Sequence, residues 1–162
     1  MADSQNLMEW FKNTFRDRFE DVKDVQDWKV LKDAAIYRRH TGDLHGAIEA
    51  MVKAIGLTRA IPTLSKDTAT NLNYLADLYL TKNAIDQAEE AIREAVELSR
   101  PLSPGLLADN LWVLAGIQNR KGERREALAS AEEARRLYQQ QGHSHGVAQA
   151  EGLIERIKAD SK

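Results

Sequence analysis

His143 and His145 sit two residues apart in the polar run GHSHG and could in principle ligate a metal. A metal site needs three or four convergent ligands, and no carboxylate stands at ligand spacing from this pair, so no metal is expected. His40 and His45 straddle a turn and read as surface polar residues. The acid pairs Glu89–Glu90 and Glu132–Glu133 read as solvent faces of helices, with nothing to raise a carboxyl pKa for acid–base work. Arg120, Lys121, Arg124 and Arg125 form a basic cluster interleaved with Glu123 and Glu126. It reads as a solvated turn, with recognition of an acidic or phosphorylated partner as the minor alternative. The sequence has no Gly-rich phosphate loop, no HExxH, no GxSxG and no EF-hand loop. It has no cysteine, hence no thiol nucleophile, thiolate metal site or disulfide. The expectation is a non-catalytic protein without cofactor.

The elements that carry these residues are helical by composition. Of 162 residues 43% are hydrophobic and 30% charged, and only three prolines and nine glycines interrupt a chain rich in helix formers. β-Branched residues never alternate with polar ones over a useful length, which leaves strands without support. The length suits one domain with a proper core. A net charge of −2 gives no field to attract nucleic acid or an anionic membrane. No apolar run approaches the roughly 18 residues of a membrane span. The start MADSQNLMEW has no basic segment followed by a long apolar one, so the expected location is the cytoplasm.

An internal repeat organises the chain. In DAAIYRRHTGDLHGAIEAMVKAI, NYLADLYLTKNAIDQAEEAIREAV and WVLAGIQNRKGERREALASAEEAR, an alanine (Ala35, Ala76, Ala115) is followed seven residues later by Gly42, Asn83 or Gly122. Five residues on comes Ala47, Ala88 or Ala127, and seven beyond that Ala54, Ala95 or Ala134. Gly and Asn tolerate the left-handed conformation that ends a helix, so each turn residue closes a first helix. Asp43 is placed to cap the helix that follows Gly42. The later alanines lie two turns apart on one face, where small side chains let helices approach closely. Met51, Ile92 and Ala131 sit between them on or near the same stripe. Ser103 and Pro104 make a helix start, a cap followed by proline at the first helical position. Gly142 ends the third pair, and a last helix over roughly 143–159 presents Val147, Leu153, Ile154 and Ile157. At the other end Leu7, Phe11, Phe15, Phe19 and Val22, flanked by Met8 and Trp10, form an amphipathic helix with an aromatic stripe. It reads as a cap over the first pair, or alternatively as a docking or dimerisation helix. The expected domains are an N-terminal helix over 1–26, three helix pairs over 27–142, and a capping helix and tail over 143–162.

The alanine–tyrosine spacing of LADLY, the turn and the AxxxxxxA signature resemble the tetratricopeptide repeat. The period near 40 is similar to the longer repeats of kinesin light chains, MalT and LGN proteins, and NYLADLY is similar to a kinesin-light-chain first helix. The resemblance runs from about Val30 to the C-terminus. The first repeat departs from it, with Arg38 where a tyrosine is usual and Tyr37 one place earlier. It implies an all-α fold: a right-handed superhelical solenoid of antiparallel helix pairs with capping helices.

Such a solenoid lines its concave side with the first helix of each pair. The residues expected there are Lys32, Ile36 and Arg39, then Asn73, Asp77 and Leu80, then Trp112, Gly116, Asn119 and Arg120. Tryptophan among amide and charged groups is peptide-binding composition, while core packing is its ordinary alternative. Asn73 resembles the asparagine with which kinesin-light-chain repeats hold a peptide backbone. The clamp that one subfamily closes on a C-terminal carboxylate is not expected. Lys32 matches it, but Ile36 replaces its asparagine, and Asp109 and Val113 stand where it wants lysine and arginine. The expected function is a scaffold that binds a protein or peptide partner. Self-assembly through the N-terminal stripe and terminal seams, as a homo-oligomer, is the alternative.

Overall fold

The computed structural model describes residues 26–159; the aromatic stripe from Leu7 to Val22 lies outside the described residues. The described residues divide into two compact units, one up to Pro62 and one from Thr63. The first contains α1 (Trp28–Thr41) and α2 (Leu44–Arg59). After a short 3-10 turn, Pro62–Leu64, the second contains α3 (Ser65–Thr81), α4 (Ile85–Ser99), α5 (Pro104–Lys121), α6 (Arg124–Gln140) and α7 (Ser144–Ala159). The described residues hold no strand. Helices pack as the pairs α1–α2, α3–α4 and α5–α6, with α4 against α5 and α7 against α6.

The turns show why the pairs form. Gly42, Asn83 and Gly122 have φ of 90°, 59° and 78°, and Gly142 repeats the conformation at 66°. In each turn the left-handed residue donates its N–H back to the third carbonyl before it: Gly42 to Arg39, Asn83 to Leu80, Gly122 to Asn119 and Gly142 to Gln139. The next N–H reaches the fifth carbonyl back, as from Ala84 to Tyr79 at 2.8 Å and from Glu123 to Gln118 at 2.9 Å. Two carbonyls left open by the helix end are thereby satisfied at every turn. Asp43 caps α2, its Oδ1 accepting from the Gly46 N–H at 2.8 Å. Ser103 caps α5 through the Leu106 N–H at 3.4 Å.

All nine alanines of the repeat are 0% exposed, as are Met51, Ile92 and Ala131. Their full burial in every copy fixes the register, including that of the first repeat. There Arg38 spans the turn, donating from Nη1 to the Gly46 carbonyl at 3.1 Å, with Asp43 3.9 Å from its Nε. A Cβ on residue 46 would lie 2.1 Å from Asp43 Oδ2, so glycine is needed for the cap to close. The helix α7 buries Leu153, Ile154 and Ile157 with Ala115, Ala127 and Ala131, and presents Glu151, Glu155 and Lys158 outward.

Candidate functional site

The first helices of the second unit share a concave surface. A groove of about 640 Å³ is lined by Asn73, Tyr74, Asp77 and Leu80 of α3, by Trp112, Val113, Gly116, Asn119 and Arg120 of α5, and by Leu153 and Arg156 of α7. Asn73, Asp77, Leu80, Trp112, Gly116, Asn119 and Arg120 are thus brought together where the repeat register puts them. Lys32, Ile36 and Arg39 belong to the first unit, at i, i+4 and i+7 on one face of α1, all half-buried. The Lys32 ammonium lies 5.8 Å from the centre of the Trp28 ring, within cation–π range.

Tyr74, Val113, Leu153 and Arg156 were not among the expected groove residues, yet the signal for them exists. Tyr74 and Val113 lie 39 apart, the interval between the turns Asn83 and Gly122. Counting α7 from its first residue against α5 places Leu153 at the position of Val113 and Arg156 at that of Gly116. The last helix therefore continues the register of the first helices.

Trp112 lies between the core and the groove. It is half-buried, packs on the cluster of Ala115, Ala127, Ala131, Leu153, Ile154 and Ile157, and its remaining face lines the groove. Its indole N–H is buried and meets no acceptor among the described residues. Asn73 is less free than its exposed-face position implied. The buried Asn110 donates from Nδ2 to the Ala95 carbonyl at 3.1 Å and to Ser99 Oγ at 3.3 Å. A carbonyl can only accept, which fixes the orientation of the Asn110 amide and turns its Oδ1 toward Asn73. Asn73 must then donate, and does so from Nδ2 at 2.7 Å. Its remaining carbonyl oxygen is an acceptor held in place by a buried neighbour.

The basic cluster after Asn119 separates into different tasks. Lys121 turns back to Asp86 at 3.0 Å, Glu89 at 2.6 Å and Glu123 at 3.5 Å. Arg124 donates from Nε and Nη2 to the Ile157 carbonyl at 3.0 and 2.7 Å, closing the end of α7. Arg120 alone of the four lines the groove. Asp109 receives the Tyr138 hydroxyl at 2.7 Å, and burial followed by that hydrogen bond pushes the phenol's pKa up.

Glu89 corrects the expectation that its acid pair is solvent-facing: it is only 7% exposed. Burial acts to raise its pKa, but hydrogen bonds from Lys121 and Arg93 outweigh that and hold it below the ordinary 4.5. A lowered native value means that the pairing stabilises the fold fully above pH 4.5 and is lost as pH falls through that native value. Glu89→Gln is therefore expected to lower the melting temperature at pH 7, and the gap to wild type should narrow as pH falls below 4.5. Melts across pH check both parts; a gap that is constant with pH would mean that charge is not the cause.

Among the described residues no three His, Cys, Asp or Glu side chains are grouped to hold a metal ion. No described helix is long and apolar enough to cross a membrane. The tetratricopeptide repeat family matches residues 70–101, a span that takes in most of α3 and all of α4. The second helix pair thus carries a tetratricopeptide repeat. No curated protein matches it significantly. Solved structures resemble this repeat protein over nearly its whole length. BtubC (BKLC) from P. vanneervenii aligns with 97% of this chain and 74% of its own at a TM-score of 0.69 and 17% identity. The nearly identical TPR-like repeats ascribed to a kinesin light chain of Podosopora anserina align over 98% and 88%, at 0.59 and 15%. MamA also aligns over 98% and 88%, at 0.56 and 15%. At these identities the likeness is one of fold.

Proposed function

We propose that this repeat protein is a non-catalytic scaffold that holds an extended peptide segment of a protein partner in the groove of α3, α5 and α7. The tetratricopeptide fold builds protein-interaction surfaces from stacked helix pairs. The observation that carries the reading is the convergence of three helices on one groove with an aromatic wall, a fixed amide acceptor and charges at its edge. Trp112, Val113, Leu80 and Leu153 offer apolar surface for a side chain, and the Asn73 carbonyl suits a peptide N–H. Lys32, Ile36 and Arg39 extend the reading to α1 as a second set of partner contacts.

Backbone and indole amide signals of isotope-labelled protein test this during titration with a bound peptide. Shifts are expected in 73–80, in 112–120 and at the Trp112 indole N–H, with residues of the opposite face, such as Glu132 and Arg136, unmoved. Shifts confined to that opposite face would overturn the reading.

A further inference from the structure

The groove's uncommitted charges are of one sign. Asp77 and Asn119 each take part in an interaction within the protein, whereas among the described residues no hydrogen bond, ion pair or ring contact engages Arg120 or Arg156. Four other basic side chains of the same unit are occupied and turn away from the groove lining: Lys121 by Asp86 and Glu89, Arg93 by Glu89, Arg100 by Glu133, and Arg124 by the Ile157 carbonyl. Arg120 stands near the end of α5, and Arg156 on the groove side of α7 at the position that Gly116 fills on α5. Glycine at 116 puts no side chain on the groove floor beside these two groups, and a Cβ there would meet nothing within 4 Å. Two guanidiniums, each a planar fork of donors, are thus presented to an open floor beside Trp112 and Leu153. A carboxylate is the side-chain group that such forks match.

We infer that the groove selects an acidic segment: an extended peptide whose aspartate or glutamate pairs with Arg120 and Arg156 while a neighbouring apolar side chain rests on Trp112 and Leu153. The inference rests on the peptide-groove reading above. It also gives α7 a second role, because the helix that covers the core of α5 and α6 supplies one of the two groups that read charge. Rim charges act through specificity and association rate, so binding weakens as salt is raised.

The probe is an array of decapeptides carrying a central leucine or tryptophan with glutamate at varied distance from it, and matched series with glutamine or lysine in place of glutamate. The full chain should retain glutamate peptides and not their counterparts. Arg156→Gln and Arg120→Gln should each weaken retention about tenfold, the usual worth of a charge-assisted contact, with the helical signal unchanged. Arg156→Glu should move the preference toward the lysine series, a reversal that a merely structural residue would not produce. Equal binding of the glutamate and glutamine series, both abolished by Gly116→Phe, would overturn the acidic selection and leave the groove standing. Binding of no series, or binding insensitive to Gly116→Phe, would overturn both.

Discussion

In thermal or denaturant melts, Asn110→Asp is expected to be the most damaging isosteric change in the second unit, worse than Asn110→Ala, with Asn110→Leu the mildest of the three. Asn110 is 0% exposed and joins three elements, donating to the Ala95 carbonyl and Ser99 Oγ of α4 and accepting from Asn73 of α3. Alanine removes all three contacts and leaves a small cavity, for a loss of about 2–4 kcal/mol. Aspartate keeps the shape but sets an acceptor against the Ala95 carbonyl and buries a charge without a partner, costing more than alanine. Leucine loses the hydrogen bonds but fills most of the space. Equal stability of the aspartate and asparagine proteins would mean that the amide network is not what joins α5 to α4.

The second large effect concerns the small-residue seam. Ala88→Leu and Ala127→Leu should each cost about 1–3 kcal/mol, because both sites are fully enclosed and added carbons must displace neighbours. Ala127 is packed with Ala115, Ala131 and the α7 residues Leu153, Ile154 and Ile157. Its leucine variant should therefore also loosen α7, which amide exchange in 144–159 would register. An exposed alanine such as Ala129 offers the control, where leucine should change stability by a few tenths of a kcal/mol at most. Unchanged melting of both buried variants would contradict the assigned seam.

These two predictions differ in how far the sequence foretold them. The alanines and the turn residues were legible because both are local requirements that recur: an αL residue must end each first helix, and only a methyl fits where two helices touch. Asn110 was not, since asparagine is usually exposed and a single buried amide carries no period of its own. Its correspondence to Asn71, 39 residues earlier and also buried, is the signal that repeat alignment offers. Glu89 was misplaced for a related reason. Helical periodicity puts it next to the buried Ala88, but its burial depends on Lys121, thirty-two residues away, reaching back to it. The groove residues of α3 and α5 followed from the register, whereas Arg156 was hidden because the last helix was read only as a cover for apolar surface.

The central claim is that the groove of α3, α5 and α7 holds the partner, and Gly116 gives access to it without disturbing the fold. It lines the groove on a helix interior, and an added Cβ there meets nothing within 4 Å. Gly116→Ala should raise stability by up to about 1 kcal/mol through helix propensity alone. Gly116→Phe should keep the helical signal while its ring occupies the groove floor. The most direct measurement is a calorimetric titration of the tightest peptide from the array into wild type, Gly116→Ala and Gly116→Phe. The account predicts near wild-type affinity for alanine and more than about tenfold weaker binding for phenylalanine, both with melting temperatures at or above wild type. Wild-type affinity in a well-folded Gly116→Phe protein would contradict it.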